Sequence, residues 1–220
     1  MKKWNAFIFD LNGTMVDDME YHLDGWYKVL HEDLQTALNR EEVRTHMYGK
    51  NEELLDRVFG KGHFSKEQAD KIALEKEKRY QAAFRPYLAL IAGLPAFLQK
   101  AKGAHIPMAI GSAAIPFNID FVLDGLGIRN YFKAVVSADD VAVSKPHPEV
   151  FLKAAAALGA APETCLVFED APKGVEAANN AGMKCMVITT MHSREDFAAY
   201  PNIAGFIKDY NDPLLEDLWK

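Results

Sequence analysis

Six short apolar runs dictate most of what this chain can fold into. WNAFIFD (4–10), IPMAIG (106–111), AVVSA (134–138), CLVFED (165–170) and MKCMVIT (183–189) each read as a buried strand, with GFI (205–207) as a last short one. From residue 88 onward, helical segments separate these runs. PAFLQKAK leads into one strand, and PFNIDFVLDGLG and PEVFLKAAAALG close on glycine. GVEAANNAG ends at Gly182, and PLLEDLW is the last helix expected. Strand–helix alternation implies β-α units and a parallel sheet.

The first run belongs in texture with the second half, yet about 70 residues of purely helical character intervene. DMEYHLDGWYKVL sets Met19, His22, Leu23, Trp26, Val29 and Leu30 on one face. Ser65 caps a long helix through KIALEKEKRYQAAF, which Pro86 ends. The expected architecture is α/β: a Rossmann-like parallel sheet with helices on both faces over 1–15 and 88–220. A helical cap is inserted after the first strand over 16–87.

Composition excludes several classes. The 220 residues carry 25 Lys+Arg against 31 Asp+Glu, a net charge of −6, which argues against a sequence-independent nucleic-acid binder. The longest mostly apolar stretch, 87–98, is broken by Gly93 and Pro95 and falls short of the ~20 residues of a membrane span. The apolar run after the two lysines at residues 2 and 3 is too short for a signal peptide. Cys165 and Cys185 read as buried free thiols, which fits a reducing, cytoplasmic setting. A monomer or weak homo-oligomer is expected.

In open parallel sheets, ligands bind outside the carboxyl ends of the strands. Those ends collect Asp10, Gly111-Ser112, Asp139-Asp140 and Glu169-Asp170, with Ser144-Lys145-Pro146 just before a helix. Alone, each has an ordinary reading, such as a helix cap or a solvated lysine. Together they can hold a hard cation by oxygen ligands and a phosphate between that cation and a lysine.

FDLNGT (9–14), Gly111-Ser112, SKPHPEVF (144–151) and FEDAPKGVEAANNAG (168–182) resemble the four motifs of the haloacid dehalogenase superfamily, and most closely its β-phosphoglucomutase-like phosphatases. The resemblance implies a cofactor, Mg²⁺, and a small phosphorylated metabolite as partner. Asp10 becomes the nucleophile, forming an aspartyl-phosphate, and a metal ligand. Ser112 and Lys145 hold phosphoryl oxygens. Asp170 holds Mg²⁺, with Glu169 a second or water-mediated contact and the carbonyl of Asn12 the remaining protein ligand. Covalent catalysis through a carboxylate splits one hard displacement into two, and a lysine and cation offset the repulsion between anions. A metal-free dehalogenase on this fold is disfavoured by Lys145 with Glu169-Asp170.

The pattern is broken at one position. The superfamily's second aspartate, its general acid and base, is here Asn12. A carboxamide cannot shuttle that proton, so the chain as written is expected to be a poor phosphatase. Three readings stay open: a substitution introduced to trap a ligand, a natural site where water or a cap residue supplies the proton, or a non-catalytic phosphometabolite-binding protein.

In the helical insertion, Glu20-Tyr21-His22 resembles the Glu-Tyr-His of the β-phosphoglucomutase group, making His22 a candidate substrate contact. Gly49-Lys50-Asn51 resembles the loop that meets the substrate. The acidic run Asn51-Glu52-Glu53 would repel a second phosphate, which favours a monophosphatase over a sugar phosphate mutase. Lys76 or Arg79 keeps the mutase as the alternative.

Overall fold

The computed structural model describes residues 4–219. The lysines weighed above against a signal peptide lie outside them. The chain divides into two compact units, Met1–Asp17 with Ala89–Lys220, and Asp18–Leu88.

The first unit is built on a six-stranded, wholly parallel sheet: β1 (Ala6–Phe9), β2 (Met108–Gly111), β3 (Ala134–Val136), β4 (Cys165–Glu169), β5 (Lys184–Ile188) and β6 (Ile203–Ile207). Their order is β3-β2-β1-β4-β5-β6. Its helices are α5 (Leu94–Gly103), α6 (Pro116–Gly125), α7 (Glu149–Leu158) and α8 (Pro172–Asn180). This is the Rossmann-like α/β fold. Strand order reverses beside β1, where such folds leave a crevice at the carboxyl ends of the strands.

Strand periodicity explains why helices cover both faces. Ala6 and Ile8 of β1 join a core with Val150 and Phe151 of α7 and Val175 of α8. Phe7 and Phe9 point the other way, into an aromatic cluster with Phe97 of α5, Phe168, Tyr210 and Trp219. Phe9 and Phe168, register partners on adjacent strands, stack at 4.7 Å between ring centroids. Each buried Phe contributes about 1.5–3 kcal/mol. Both cysteines are buried and unbridged.

The second unit is helical among its described residues: α1 (Met19–Lys28), extended by a π-helical turn over Val29–Asp33, then α2 (Arg40–His46), α3 (Asn51–Phe59) and α4 (Lys66–Phe84). Leu23, Trp26, Leu30, Val43, Leu54 and Leu55 form its core. Ser65 and Gln68 cap α4 reciprocally.

Two expectations shift. PLLEDLW forms 3₁₀ turns rather than an α-helix; seven residues opening on a proline have few i→i+4 partners to gain. Pro86 sits inside a 3₁₀ turn, Arg85–Tyr87, that continues α4 instead of breaking it abruptly. No helix among the described residues is long and apolar enough to cross a membrane.

Candidate active site

The carboxyl ends of β1, β2 and β4 converge on one buried cluster. Asp10 follows β1 and extends its pairing with β4, its amide donating to the Phe168 carbonyl at 3.0 Å. Ser112 follows β2, its amide donating to Val136 on β3 at 3.0 Å. Lys145 enters from the loop before α7, where the Asn180 side-chain amide holds the Pro146 carbonyl at 3.0 Å. Asp10, Ser112, Lys145, Glu169 and Asp170 are all buried.

The Lys145 ammonium donates to Asp10 Oδ1 at 2.7 Å and to Glu169 Oε1 at 2.8 Å, and its cation lies 4.6 Å from the Phe151 ring centroid. The second oxygen of Glu169 accepts the amides of Asp170 and Ala171 at 2.8 and 2.7 Å, at the start of α8. Glu169 thus spends one oxygen on the lysine and the other on the helix N-terminus, where a carboxylate is favoured. The Ser112 hydroxyl hydrogen-bonds Asp10 and accepts the Ala114 amide at 3.2 Å.

Three carboxylates and one ammonium leave the cluster with excess negative charge. Burial raises Asp10 to about 6, with Lys145 pulling it down and Glu169 pushing it up. Burial likewise raises Asp170 well above its ordinary range, reinforced by Glu169 and Asp10. Burial opposes the charge of Lys145, but Asp10 and Glu169 outweigh it and hold its pKa above the usual lysine range. Asp10 and Asp170 are therefore carboxylates that a cation would stabilise in their ionised form.

Mg²⁺ fits this donor set. Among the described residues no three His, Cys, Asp or Glu side chains form a group able to hold a metal ion. Mg²⁺ needs no such cage, since it keeps waters and takes one or two carboxylates plus phosphate oxygens.

Gly13 shows why this loop needs glycine. Its φ is +72°, and a Cβ there would overlap the Asp170 carboxylate. Gly174, in the first turn of α8, faces the same constraint, because a Cβ would overlap the Glu169 carboxylate. Gly174→Ala is expected to destabilise the protein by about 1–3 kcal/mol in chemical denaturation, as overpacking does. Alanine is the better helix former by about 1 kcal/mol, so a variant more stable than the parent would show that Glu169 moves aside freely.

Sequence reasoning missed Thr14, whose hydroxyl donates to Asp170 Oδ1 at 2.9 Å, and Thr190, which donates to the Gly13 carbonyl at 2.8 Å. Thr14 lies inside FDLNGT, and Thr190 stands just past the carboxyl end of β5, so the strand-end rule could have found both. Tyr210, donating to the Thr14 carbonyl at 3.1 Å, carried no such signal. Asp139 and Asp140 stay outside the described contacts of the cluster. Asp140 caps its own turn through the Ser137 amide and hydroxyl at 2.7 and 2.6 Å, and Asp139 is exposed.

The helical unit has its own buried polar network. The Lys76 ammonium donates to Glu77 at 3.0 and 3.1 Å and lies 2.6 Å from His22 Nδ1. His22 Nε2 lies 3.5 Å from Asp18 Oδ2. Tyr80 stacks on the His22 ring at 3.7 Å and donates to Asp18 at 2.5 Å. Burial lowers the Lys76 pKa against the pull of Glu77, and burial with Asp18 raises that of Tyr80. Asn51 donates its side-chain amide to Glu77 at 2.8 Å, so one substrate candidate is engaged inside the unit. Gly49 and Lys50 are half-buried ahead of α3; the Lys50 amide donates to Glu53 at 3.0 Å.

The first unit's sheet thus carries, after its β1 strand, an aspartate paired with a lysine, with a serine and a second aspartate after the flanking strands. Residues 4–182 match the family model for haloacid dehalogenase-like hydrolases, and the chain belongs to that family. It is 34% identical over 186 residues to fructose-1-phosphate phosphatase YqaB of Escherichia coli, covering 83% of this chain and 95% of the relative. It is 33% identical over 184 residues to β-phosphoglucomutase of Bacillus subtilis, covering 81% and 80%. The crystal structure of β-phosphoglucomutase from Clostridium difficile superposes with a TM-score of 0.84 at 27% identity, covering 98% and 97%.

Proposed function

We propose that the protein is a Mg²⁺-dependent phosphohydrolase of a small phosphate monoester, such as a sugar phosphate, acting through an aspartyl-phosphate on Asp10. The observation that carries this reading is the Asp10–Lys145 contact beside Ser112 and Asp170 at the strand ends. An Asp10 carboxylate oxygen attacks phosphorus, the bond to the ester oxygen breaks, and the departing alcohol takes a proton. Water then cleaves the acyl phosphate and frees Asp10. Lys145 and Ser112 hold the phosphoryl oxygens, and Glu169 fixes Lys145. Asp10, Asp170 and the Asn12 carbonyl would hold the metal, which when bound offsets the negative charge shared by nucleophile and phosphate. Asn12 supplies no general acid, so the proton comes from water, at a cost in rate.

The phosphomutase relative favours a second reading, transfer between two positions of a sugar phosphate. Against it stands the acidic run Asn51-Glu52-Glu53, a sequence that would repel a second phosphate rather than recruit one. The proposal is tested by phosphate release from a panel of sugar phosphates with and without Mg²⁺, with isomerisation followed in parallel. Isomerisation without phosphate release would move the mutase ahead.

The raised carboxylates predict a pH signature. Asp10 binds its proton more tightly folded than unfolded, so the stability it contributes is fully present below 3.8 and lost as pH rises through about 6. Asp170 acts in the same direction. Mg²⁺ competes with those protons, so it is expected to raise the melting temperature more at about pH 7.5 than at about pH 5. An equal or larger gain at the lower pH would count against metal binding by these carboxylates.

A further inference from the structure

The loop after β1 is held by three distant parts of the chain. The Met15 carbonyl accepts the Ile91 amide at 2.9 Å, where the chain re-enters the sheet unit. The Gly13 carbonyl accepts the Thr190 hydroxyl at 2.8 Å, and the Thr14 carbonyl accepts the Tyr210 hydroxyl at 3.1 Å. Within the loop, Leu11 accepts from the Met15 amide and Val16 from the Gly13 amide, both at 2.8 Å. Tyr210 is itself fixed. Its amide donates to the Ala92 carbonyl at 2.9 Å, and its ring packs against Phe9, Phe97 and Phe168. Gly93, at φ +80°, lets the Tyr210 backbone come close, since a Cβ there would lie 2.5 Å from the Tyr210 carbonyl carbon.

This arrangement fixes more than the loop. Thr14 is gripped twice, by Tyr210 at its carbonyl and, through its own hydroxyl, by Asp170. Thr190 grips the residue before it. Asp170 cannot choose its rotamer independently of Thr14, and Gly13 closes the space on its other side.

We propose that Thr190 and Tyr210 are positioning residues for phosphoryl transfer: their hydroxyls pin the Gly13 and Thr14 carbonyls so that the Thr14 hydroxyl holds Asp170 in place within the Asp10 cluster. The proposal rests on the phosphohydrolase reading for its consequence, not for its geometry. Neither residue touches the reacting atoms; both act through the loop.

The test uses the full chain with Thr190→Val, Tyr210→Phe, both together, and Thr190→Ser as the conservative control. Hydrogen exchange at the amides of Gly13, Met15 and Val16 reads loop fixation without turnover or metal. Calorimetry with MgCl₂ alone reads its consequence. In the double variant these amides are expected to exchange faster while those of β1 and β4 keep their protection, and Mg²⁺ affinity is expected to fall about 10–100-fold, as when groups supporting metal ligands are removed. Thr190→Ser, which keeps the hydroxyl, is expected to match the unaltered protein in both readouts. Unchanged loop exchange, or acceleration spread equally over β1 and β4, would overturn the positioning role, as would native Mg²⁺ affinity despite a loosened loop. Absence of Mg²⁺ binding by the unaltered protein would instead sink the metal-dependent reading, and the exchange data would still decide whether the two hydroxyls fix the loop.

Discussion

Asn12→Asp is expected to accelerate phosphate release by about 10²–10⁴-fold, the span general acid–base catalysis usually supplies. The two side chains have nearly the same shape, so binding geometry changes little while a titratable group appears two residues past Asp10. That group can protonate the departing alcohol and then deprotonate the water that attacks the acyl phosphate. The gain has an electrostatic cost. The site already buries Asp10, Glu169 and Asp170 against the single ammonium of Lys145, and a fourth carboxylate deepens the imbalance. The variant is therefore expected to depend more steeply on Mg²⁺ and to gain a limb in its pH–rate profile that the parent lacks. Initial rates on a sugar phosphate panel across pH and Mg²⁺ concentration measure all three effects. Equal rates for parent and variant would show that Asn12 does not limit turnover and would bring the phosphometabolite-binding reading forward.

What the sequence made legible follows from how locally each feature is determined. The strands could be read because buried parallel strands are short continuous apolar runs, and CLVFED and MKCMVIT became β4 and β5 within a residue or two. The strand-end rule gathered Asp10, Ser112, Lys145, Glu169 and Asp170 because each follows or closely precedes a regular element. The same rule over-collected Asp139 and Asp140, where a carboxylate instead caps its own 3₁₀ turn. What escaped depends on contacts between distant segments. Nothing near Tyr210 in sequence tells that its hydroxyl meets a carbonyl 196 residues away. The Lys76–Glu77–Asn51 network escaped for a similar reason, since α4 reads as an ordinary charged helix until α1 and α3 cover one of its faces.

Asp10→Asn is expected to abolish phosphoryl transfer while leaving the protein folded and, without metal, more stable near neutral pH. The loss follows from the chemistry: a carboxamide oxygen is a poor nucleophile, and removing a covalent nucleophile costs on the order of 10⁴–10⁶ in rate. The gain in stability follows from the electrostatics. An aspartate raised to about 6 by burial is held in its charged form at neutral pH against the preference of its surroundings. An asparagine there removes that penalty and eases the repulsion on Asp170, while Lys145 keeps Glu169 as partner. The variant is also expected to lose the part of the decline in stability between pH 3.8 and about 6 that Asp10 contributes. Denaturation with a chelator present, at pH values spanning that window, separates the two effects. Retained turnover would refute Asp10 as the nucleophile. A variant that is inactive but less stable across the whole range would mean that the Lys145 contact contributes more to the fold than desolvation of Asp10 takes away.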